Sequence, residues 1–381
     1  MAGLYIHIPF CKQKCHYCNF FSVASIRNKK EMVQAIAAEL QLQKAYLDNE
    51  PLKTIYLGGG TPSLLTEDEL NHLFETIYLN YEVDTDVEIT LEANPDDLHT
   101  EKADIIRRSK INRLSIGIQS FHDDDLLALN RVHSARQSLD AIKTMQDFGI
   151  TNISIDLIYG IPGLTNEKWQ QNLETVKQLQ IPHLSAYALT VEERTALDWL
   201  IKKGRMTPVN EEMSITNFRY LQQYAHENDY EHYEISNFCR PGMYSRHNTA
   251  YWSGKKYLGV GPSAHSFNQN SRRWNVSNNT KYIEGIKNKE PVFEEEVLDV
   301  TKKYNEYILT SLRTRNGCNL NYIKEHFGEV FYNTFLENLR FSQYQNCFTL
   351  TDQILVLTSE GMLFADAITS ELFISDKKEN L

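Results

Sequence analysis

Apolar residues recur along this chain with two periods, and the change between them divides it. Between residues 4 and 189, short β-rich runs alternate with longer amphipathic stretches. LYIHI (4–8), KTIYLG (53–58), VEITLE (87–92), NRLSIGI (112–118), NISIDLI (152–158) and HLSAYAL (183–189) are short and rich in Ile, Leu and Tyr, and are predicted strands. Helical spacing fills 29–47, 66–79, 100–109, 122–147 (room for two helices) and 165–179. Thr66-Glu67-Asp68-Glu69 reads as a capping box opening the second helix, and Gly149 marks a helix stop before the fifth strand. Strands alternating with helices build a parallel sheet. A closed eight-unit barrel needs about 250 residues, whereas this repeat falters near 190. The pattern therefore predicts an α/β fold, an open (β/α)6 partial TIM barrel.

Beyond Val191 the rhythm changes. A helix is predicted at 210–228 and a strand at 231–236, followed by a Gly-, Asn- and Ser-rich region over 240–280. Helices return at 301–314, 319–326 and 329–341, then strands at 347–351 and 354–358 and a helix at 359–371. Helices followed by a small hairpin predict a mixed, mainly helical, winged-helix-like module. The expected division is a barrel over 1–230 and a C-terminal domain over 231–381, with a charged, frayed tail from Asp376 to Leu381.

Charge narrows the function. Against 50 Asp and Glu stand 39 Lys and Arg, a formal −11, which disfavours general binding to phosphate backbones. At 41% hydrophobic residues the chain can bury a core. No apolar run approaches the roughly 20 residues that span a bilayer, and Met1 to Phe10 carries no secretory pattern. A cytoplasmic protein is expected, in which clustered thiols bind metal more readily than they pair.

Cys11, Cys15 and Cys18 crowd the loop leaving the first strand, while Cys239, Cys318 and Cys347 stand apart. Three thiolates on a short loop suit three corners of a [4Fe–4S] cube, leaving one iron open. Structural zinc with His7 or His16 as the fourth ligand meets the same spacing. In barrels of parallel strands chemistry gathers at the C-terminal strand ends. Here those ends carry the cysteine loop, Gly58-Gly59-Gly60-Thr61-Pro62, Glu92, Gln119, Asp156 with Tyr159, and Tyr187. Singly, the glycines read as a turn, the carboxylates as caps and Gln119 as a backbone partner. Six strands aiming such groups at one rim read as a site.

The cysteine spacing, GGGTP, EANP, SIGIQSF, LNRVHS and SIDLIYGIPG resemble the radical S-adenosylmethionine (SAM) superfamily along nearly the whole chain. More narrowly they resemble its branch of oxygen-independent coproporphyrinogen oxidases (HemN) and HemW haem chaperones. The resemblance implies that Cys11, Cys15 and Cys18 ligate a [4Fe–4S] cluster whose open iron takes the amino and carboxylate groups of SAM, with Tyr5 beside it. It implies that Gly59, Gly60 and Thr61 meet the methionine moiety, the glycines by close backbone approach. Glu92 would accept from the ribose hydroxyls, Arg131 pair with the SAM carboxylate, Gln119 and Asp156 line the groove, and Ala188 lie near the adenine. An electron from the cluster would cleave SAM to a 5′-deoxyadenosyl radical.

Within that branch three features favour the chaperones. Phe20 stands where the oxidases carry a further cysteine, only ten residues precede Cys11, and SRHNTAYW contains the HNxxYW pattern of the chaperones as His247, Asn248, Tyr251 and Trp252. An imidazole can ligate haem iron and aromatics can flank the macrocycle. His265, Cys239 and Cys318 are candidate second contacts, although packing or solvated positions account for each more simply. The resemblance thus implies a protein that binds haem near 240–265 and passes it to respiratory haem proteins. It implies no nucleic-acid partner, transient contact at most with a membrane complex, and no coproporphyrinogen dehydrogenase activity. The rival is oxidative decarboxylation of coproporphyrinogen III.

Overall fold

The computed structural model describes residues 2–374; the tail from Asp376 to Leu381 lies outside the described residues. Six βα steps arrive as the periodicity requires. They are β1 (Ala2–Ile8), α1 (Lys29–Leu42), β2 (Leu52–Gly59), α2 (Glu67–Asn80), β3 (Val83–Ala93), α3 (Thr100–Arg108), β4 (Arg113–Gln119), α4 (Asp123–Ala128), α5 (Ala135–Asp147), β5 (Ile153–Tyr159), α6 (Asn166–Gln178) and β6 (His183–Ala188). Strands β1 to β6 are neighbours in chain order and all parallel. Both halves of the Thr66–Glu69 capping box form, and Gly149 takes φ 80° past the end of α5. Of the 29–47 stretch only Lys29–Leu42 is helical; turns carry the chain on, with Asp48 and Asn49 left-handed. The 122–147 stretch splits at Asn130, also left-handed, and α5 restarts on a second capping box, Ser134 with Gln137.

Alternation sorts the strands. Leu4, Ile6, Ile55, Leu57, Ile89, Leu91, Leu114, Ile116, Ile155 and Leu157 are buried in the main apolar core. The alternate positions Tyr56, Thr90, Glu92, Arg113, Ser115, Ser154, Asp156, His183 and Ser185 line a polar chamber of about 60 Å³. Closed barrels fill that interior with branched apolar side chains; here it is equipped for polar contact.

After α7 (Ala196–Lys202) and α8 (Glu211–Glu227), the expected division at 230 is not where the packing divides. Strands β7 (Glu231–Glu234) and β8 (Asn237–Cys239) join the far edge of the sheet antiparallel, through β8 against β6. The Gly-, Asn- and Ser-rich region over 240–280 carries regular elements. It holds α9 (Arg246–Trp252), β9 (Tyr257–Val260), β10 (His265–Phe267) and β11 (Ser271–Asn275), followed by α10 (Asn279–Asn288) and β12 (Phe293–Val297). β9 lies parallel against β1, and β10 to β12 extend the sheet outward. One sheet of 12 strands thus runs as far as residue 297, because these short strands find their partners on the barrel.

The second core begins with α11 (Val300–Leu312). It continues through β13 (Cys318–Asn319), α12 (Leu320–Phe327), α13 (Glu329–Phe341), β14 (Phe348–Thr351), β15 (Ile354–Leu357) and α14 (Ala365–Leu372). The three strands pair in the order β13-β15-β14, and Asp352 and Gln353 make the tight turn at φ 50° and 65°. Tyr304, Ile308, Leu320, Phe335 and Ile368 fill this core, and Met362 packs against both cores. Among the described residues no helix is long and apolar enough to cross a membrane.

Candidate functional site

The six strand ends converge on a groove of about 380 Å³. Its wall contains Cys11, Cys15, Cys18, Gly59, Gly60, Thr61, Glu92, Gln119, Arg131, Asp156 and Ala188, so the structure gathers these sequence candidates in one place. Tyr5 is set back from the wall. Its hydroxyl meets His7 Nδ1 at 3.2 Å, and its ring packs where a Cβ on Gly58 would stand. Tyr159, expected at the rim, turns away. Asp156 and Ile158 alternate into the groove, so Tyr159 faces outward, where it packs on Trp169 and Phe218 at 5.7 and 6.1 Å.

The cysteine loop is held from several sides. Lys12 pairs with Asp96 at 2.6 Å and with Asp97; Gln13 donates to Asn130 Oδ1 at 2.8 Å; Asn130 returns a bond to the Lys14 carbonyl at 2.8 Å. His16 bonds the Ala128 carbonyl through Nδ1, and both ring nitrogens of His7 are engaged, by Tyr5 and by the Phe21 carbonyl. Neither ring nitrogen of His7 is therefore free for a fourth ligand, and of His16 only Nε2 is left. Among the described residues no three His, Cys, Asp or Glu side chains gather tightly enough to hold one metal ion. A tetrahedral zinc would need its ligands within about 2.3 Å of one centre. Three thiols that line one groove without closing on a single point suit the separate corners of a cube better.

The glycines answer to the protein itself. A Cβ on Gly59, whose φ is 107°, would lie 2.6 Å from the His7 ring, and one on Gly60 would lie 2.6 Å from the Phe10 carbonyl oxygen. Close approach explains both glycines, to β1 and to the root of the cysteine loop. Gln119 adopts φ 68°, a strained conformation for a side-chain-bearing residue.

Arg131 crosses beneath the loop. Nη1 donates to Cys15 Sγ at 3.2 Å, while Nη2 donates to Asn94 Oδ1 at 2.8 Å and to the Gly117 carbonyl at 2.7 Å. Its buried Nε has no partner in the protein, an orphan donor of the kind a bound anion satisfies. Glu92 accepts from Tyr56 Oη at 2.8 Å and from the Gly59 amide at 3.1 Å. A carboxylate has about four acceptor sites, so two remain for a ligand's hydroxyls. Burial, with the nearby Asp156 charge adding to it, pushes Glu92 up to about 7; burial likewise pushes Asp156 up to about 6. The thiols, the orphan donor and the half-used carboxylate fit an iron–sulfur cluster and a zwitterionic nucleoside. Sequence reasoning did not single out Asn94 or Tyr56. Asn94 stood in the quoted EANP segment, and Tyr56 shares the inward face of β2 with Gly58, so both carried a readable signal.

The four HNxxYW residues do not share a surface. α9 packs beneath the barrel, with its N-terminal amides from Arg246 and His247 bonded to the Glu88 carboxylate at 3.0 Å each. His247 stacks on Tyr56 at 5.0 Å and bonds Thr54 Oγ1 through Nδ1 at 2.9 Å, while Asn248 lines the polar chamber. Tyr251 and Trp252 turn outward, edge to face at 5.0 Å, with the Arg313 guanidinium 5.3 Å from the Trp252 ring centre. His265 stands at the opposite end of β10 from Phe267, which pairs with Tyr257 beside Tyr251. Cys239 and Cys318 are fully buried. None of these three accompanies the outward aromatics.

The profile of the radical SAM superfamily matches residues 5–176. The heme chaperone HemW of Bacillus subtilis (strain 168) is 32% identical over 97% of this chain and 98% of its own length. The Escherichia coli (strain K12) protein of the same name is 34% identical over 69% of each. Among solved structures, coproporphyrinogen III oxidase (HemN) from Escherichia coli superposes with a TM-score of 0.85 at 21% identity, covering 98% of this chain and 90% of that one. At that identity the likeness speaks for the fold.

Proposed function

Because this chain belongs to the HemW family of the radical SAM superfamily, we propose that it holds a [4Fe–4S] cluster and SAM in the groove, takes up haem, and delivers it to respiratory haem proteins from the cytoplasm. The observation that carries this reading is the meeting of the Cys11–Cys18 loop with Glu92 and Arg131 in one groove. Cys11, Cys15 and Cys18 would hold the cluster. Arg131 would offer its orphan Nε to the SAM carboxylate, and Glu92 its two spare acceptor sites to the ribose. Bound there, cluster and SAM supply one-electron chemistry. The protein orients them, and Arg131 steadies the loop by donating to the Cys15 sulfur.

Haem, in this reading, lies on the outer face of α9. Tyr251, Trp252 and Tyr257 offer flat apolar area, and Arg313, whose Nη1 already pairs with Asp366, would offer its remaining donors to a propionate. His247 and Asn248 would support that face from within. An axial bond from His247 would require its ring to leave Tyr56 and Thr54.

The deciding experiment is anaerobic turnover on cluster-reconstituted protein with SAM, reductant and coproporphyrinogen III, followed by mass. No decarboxylated product from iron-loaded protein, together with a haem titration that saturates, is the expected outcome. Multiple turnovers to a decarboxylated product would make the chain an oxidase. Cys11→Ser is expected to fold and to lose the visible iron–sulfur absorption; retention of the cluster would sink the ligand assignment. Trp252→Ala is expected to weaken haem binding by about tenfold, and an unchanged titration removes this face.

A further inference from the structure

A continuous column of side chains joins the floor of the barrel to the groove. At its foot, Thr54 Oγ1 and His247 Nδ1 share a hydrogen bond of 2.9 Å, and Glu88 anchors the start of α9 through two amides at 3.0 Å. Above, the His247 ring lies on Tyr56, with centroids 5.0 Å apart and planes inclined at 29°. Tyr56 in turn donates 2.8 Å to Glu92. Two glycines leave room for the column. A Cβ on Gly3 would stand 3.0 Å from Thr54 Oγ1 and 3.5 Å from the His247 ring, and one on Gly58 would lie 2.8 Å from Tyr56 and 3.0 Å from Glu92.

We propose that His247 is a positioning residue of the cofactor groove: by fixing the Tyr56 ring it fixes the Glu92 carboxylate, so the HNxxYW helix sets affinity for the SAM ribose from beneath. This rests on the reading of Glu92 as the ribose acceptor. The chemistry suits the task. Burial holds the His247 imidazole at about 4, so the ring in the stack is neutral at physiological pH. A hydrogen bond to a carboxylate fixes direction more strongly than one between neutral groups. The inward half of the motif thereby gains a role separate from its outward aromatics.

The test is equilibrium dialysis of SAM against the full chain, anaerobically reconstituted, with the SAM-induced change in the electron paramagnetic resonance of the reduced cluster as the second readout. Tyr56→Phe, which removes one oxygen, is expected to weaken SAM about tenfold, the scale of one charge-assisted hydrogen bond. His247→Ala is expected to weaken SAM comparably and to blunt the spectral change. His247→Phe, which keeps a flat ring on Tyr56, is expected to recover most of the affinity. Folded, iron-loaded His247→Ala that binds SAM with the wild-type constant overturns the proposal. If that variant does not fold, an unchanged constant in Tyr56→Phe overturns it equally. Wild-type protein that holds iron but binds no SAM would instead sink the reading of the groove itself.

Discussion

Glu92 is under two opposing demands. Burial favours its neutral form, with Asp156 adding to the effect, yet its service to a ribose needs the anion. The carboxyl titrates at about 7, so SAM affinity is expected to fall as pH drops from 8 to 6, through that value. Glu92→Gln should bind SAM weakly and without this slope, and dialysis across the range checks both. An affinity flat in the wild type would place the charge elsewhere. Asp156 faces the same space, and Arg131 and Arg113 temper its charge, so Asp156→Asn should lower the Glu92 midpoint and shift the slope to lower pH. Much at this scale was legible, because a strand end followed by a loop places a polar residue predictably. Tyr159 was not, since its facing depends on counting alternation from Asp156 rather than on proximity to the rim. The inward facing of His247 was hidden for a related reason. A motif shows which residues travel together, not that a seven-residue helix sends them to opposite sides.

At the scale of elements, the barrel strands and most helices could be read because their patterns are long and local. The segments over 240–297 could not. Strands β8 to β12 are three to five residues long, and they gain order from partners distant in sequence, which periodicity does not report. One residue shows what holds this extension down. Glu39 on α1 is 1% exposed and accepts from the Gly261 amide at 2.8 Å, Asn275 Nδ2 at 2.8 Å and Tyr282 Oη at 2.5 Å, tying α1 to the loop after β9, to β11 and to α10. Burial raises its carboxyl from 4.5 to about 7 despite these donors. Between those values the folded protein holds a proton that the unfolded chain has released, so this contribution to stability is full below 4.5 and declines as pH rises through 7. The margin of wild type over Glu39→Gln should therefore shrink between pH 5 and pH 8, by up to about 3 kcal/mol. Parallel denaturation curves at the two pH values test it, and a constant margin would refute the raised carboxyl.

At the scale of the molecule, the two apolar cores meet at Met362, and Ile235 between β7 and β8 packs against the second core. Backbone bonds from Ile235 to the Arg313 carbonyl and from Arg315 to the Tyr233 carbonyl, 3.0 Å each, and a surface pair in which Arg219 grips Glu360 at 2.8 and 2.7 Å add to the seam. Both partners of the pair are about half exposed, so it contributes little, and the apolar contact is the stronger link. Met362→Asp is expected to split thermal unfolding into two transitions, the earlier belonging to residues 300–374; a single shifted transition would show that the cores melt as one. The two-part plan was evident in the sequence, but the boundary was placed at 230 because the parallel rhythm ends there, whereas the sheet runs on to 297. That continuation bears on how the chain comes off the ribosome. Gly3 pairs with Tyr257, so the outer edge of β1 must wait through the translation of more than two hundred residues for its neighbour. Until then its backbone donors and acceptors lie open to any other extended segment. The late arrival of β9 makes closure of that edge follow the synthesis of all six parallel strands, and the nascent chain is most exposed to misassociation just before it.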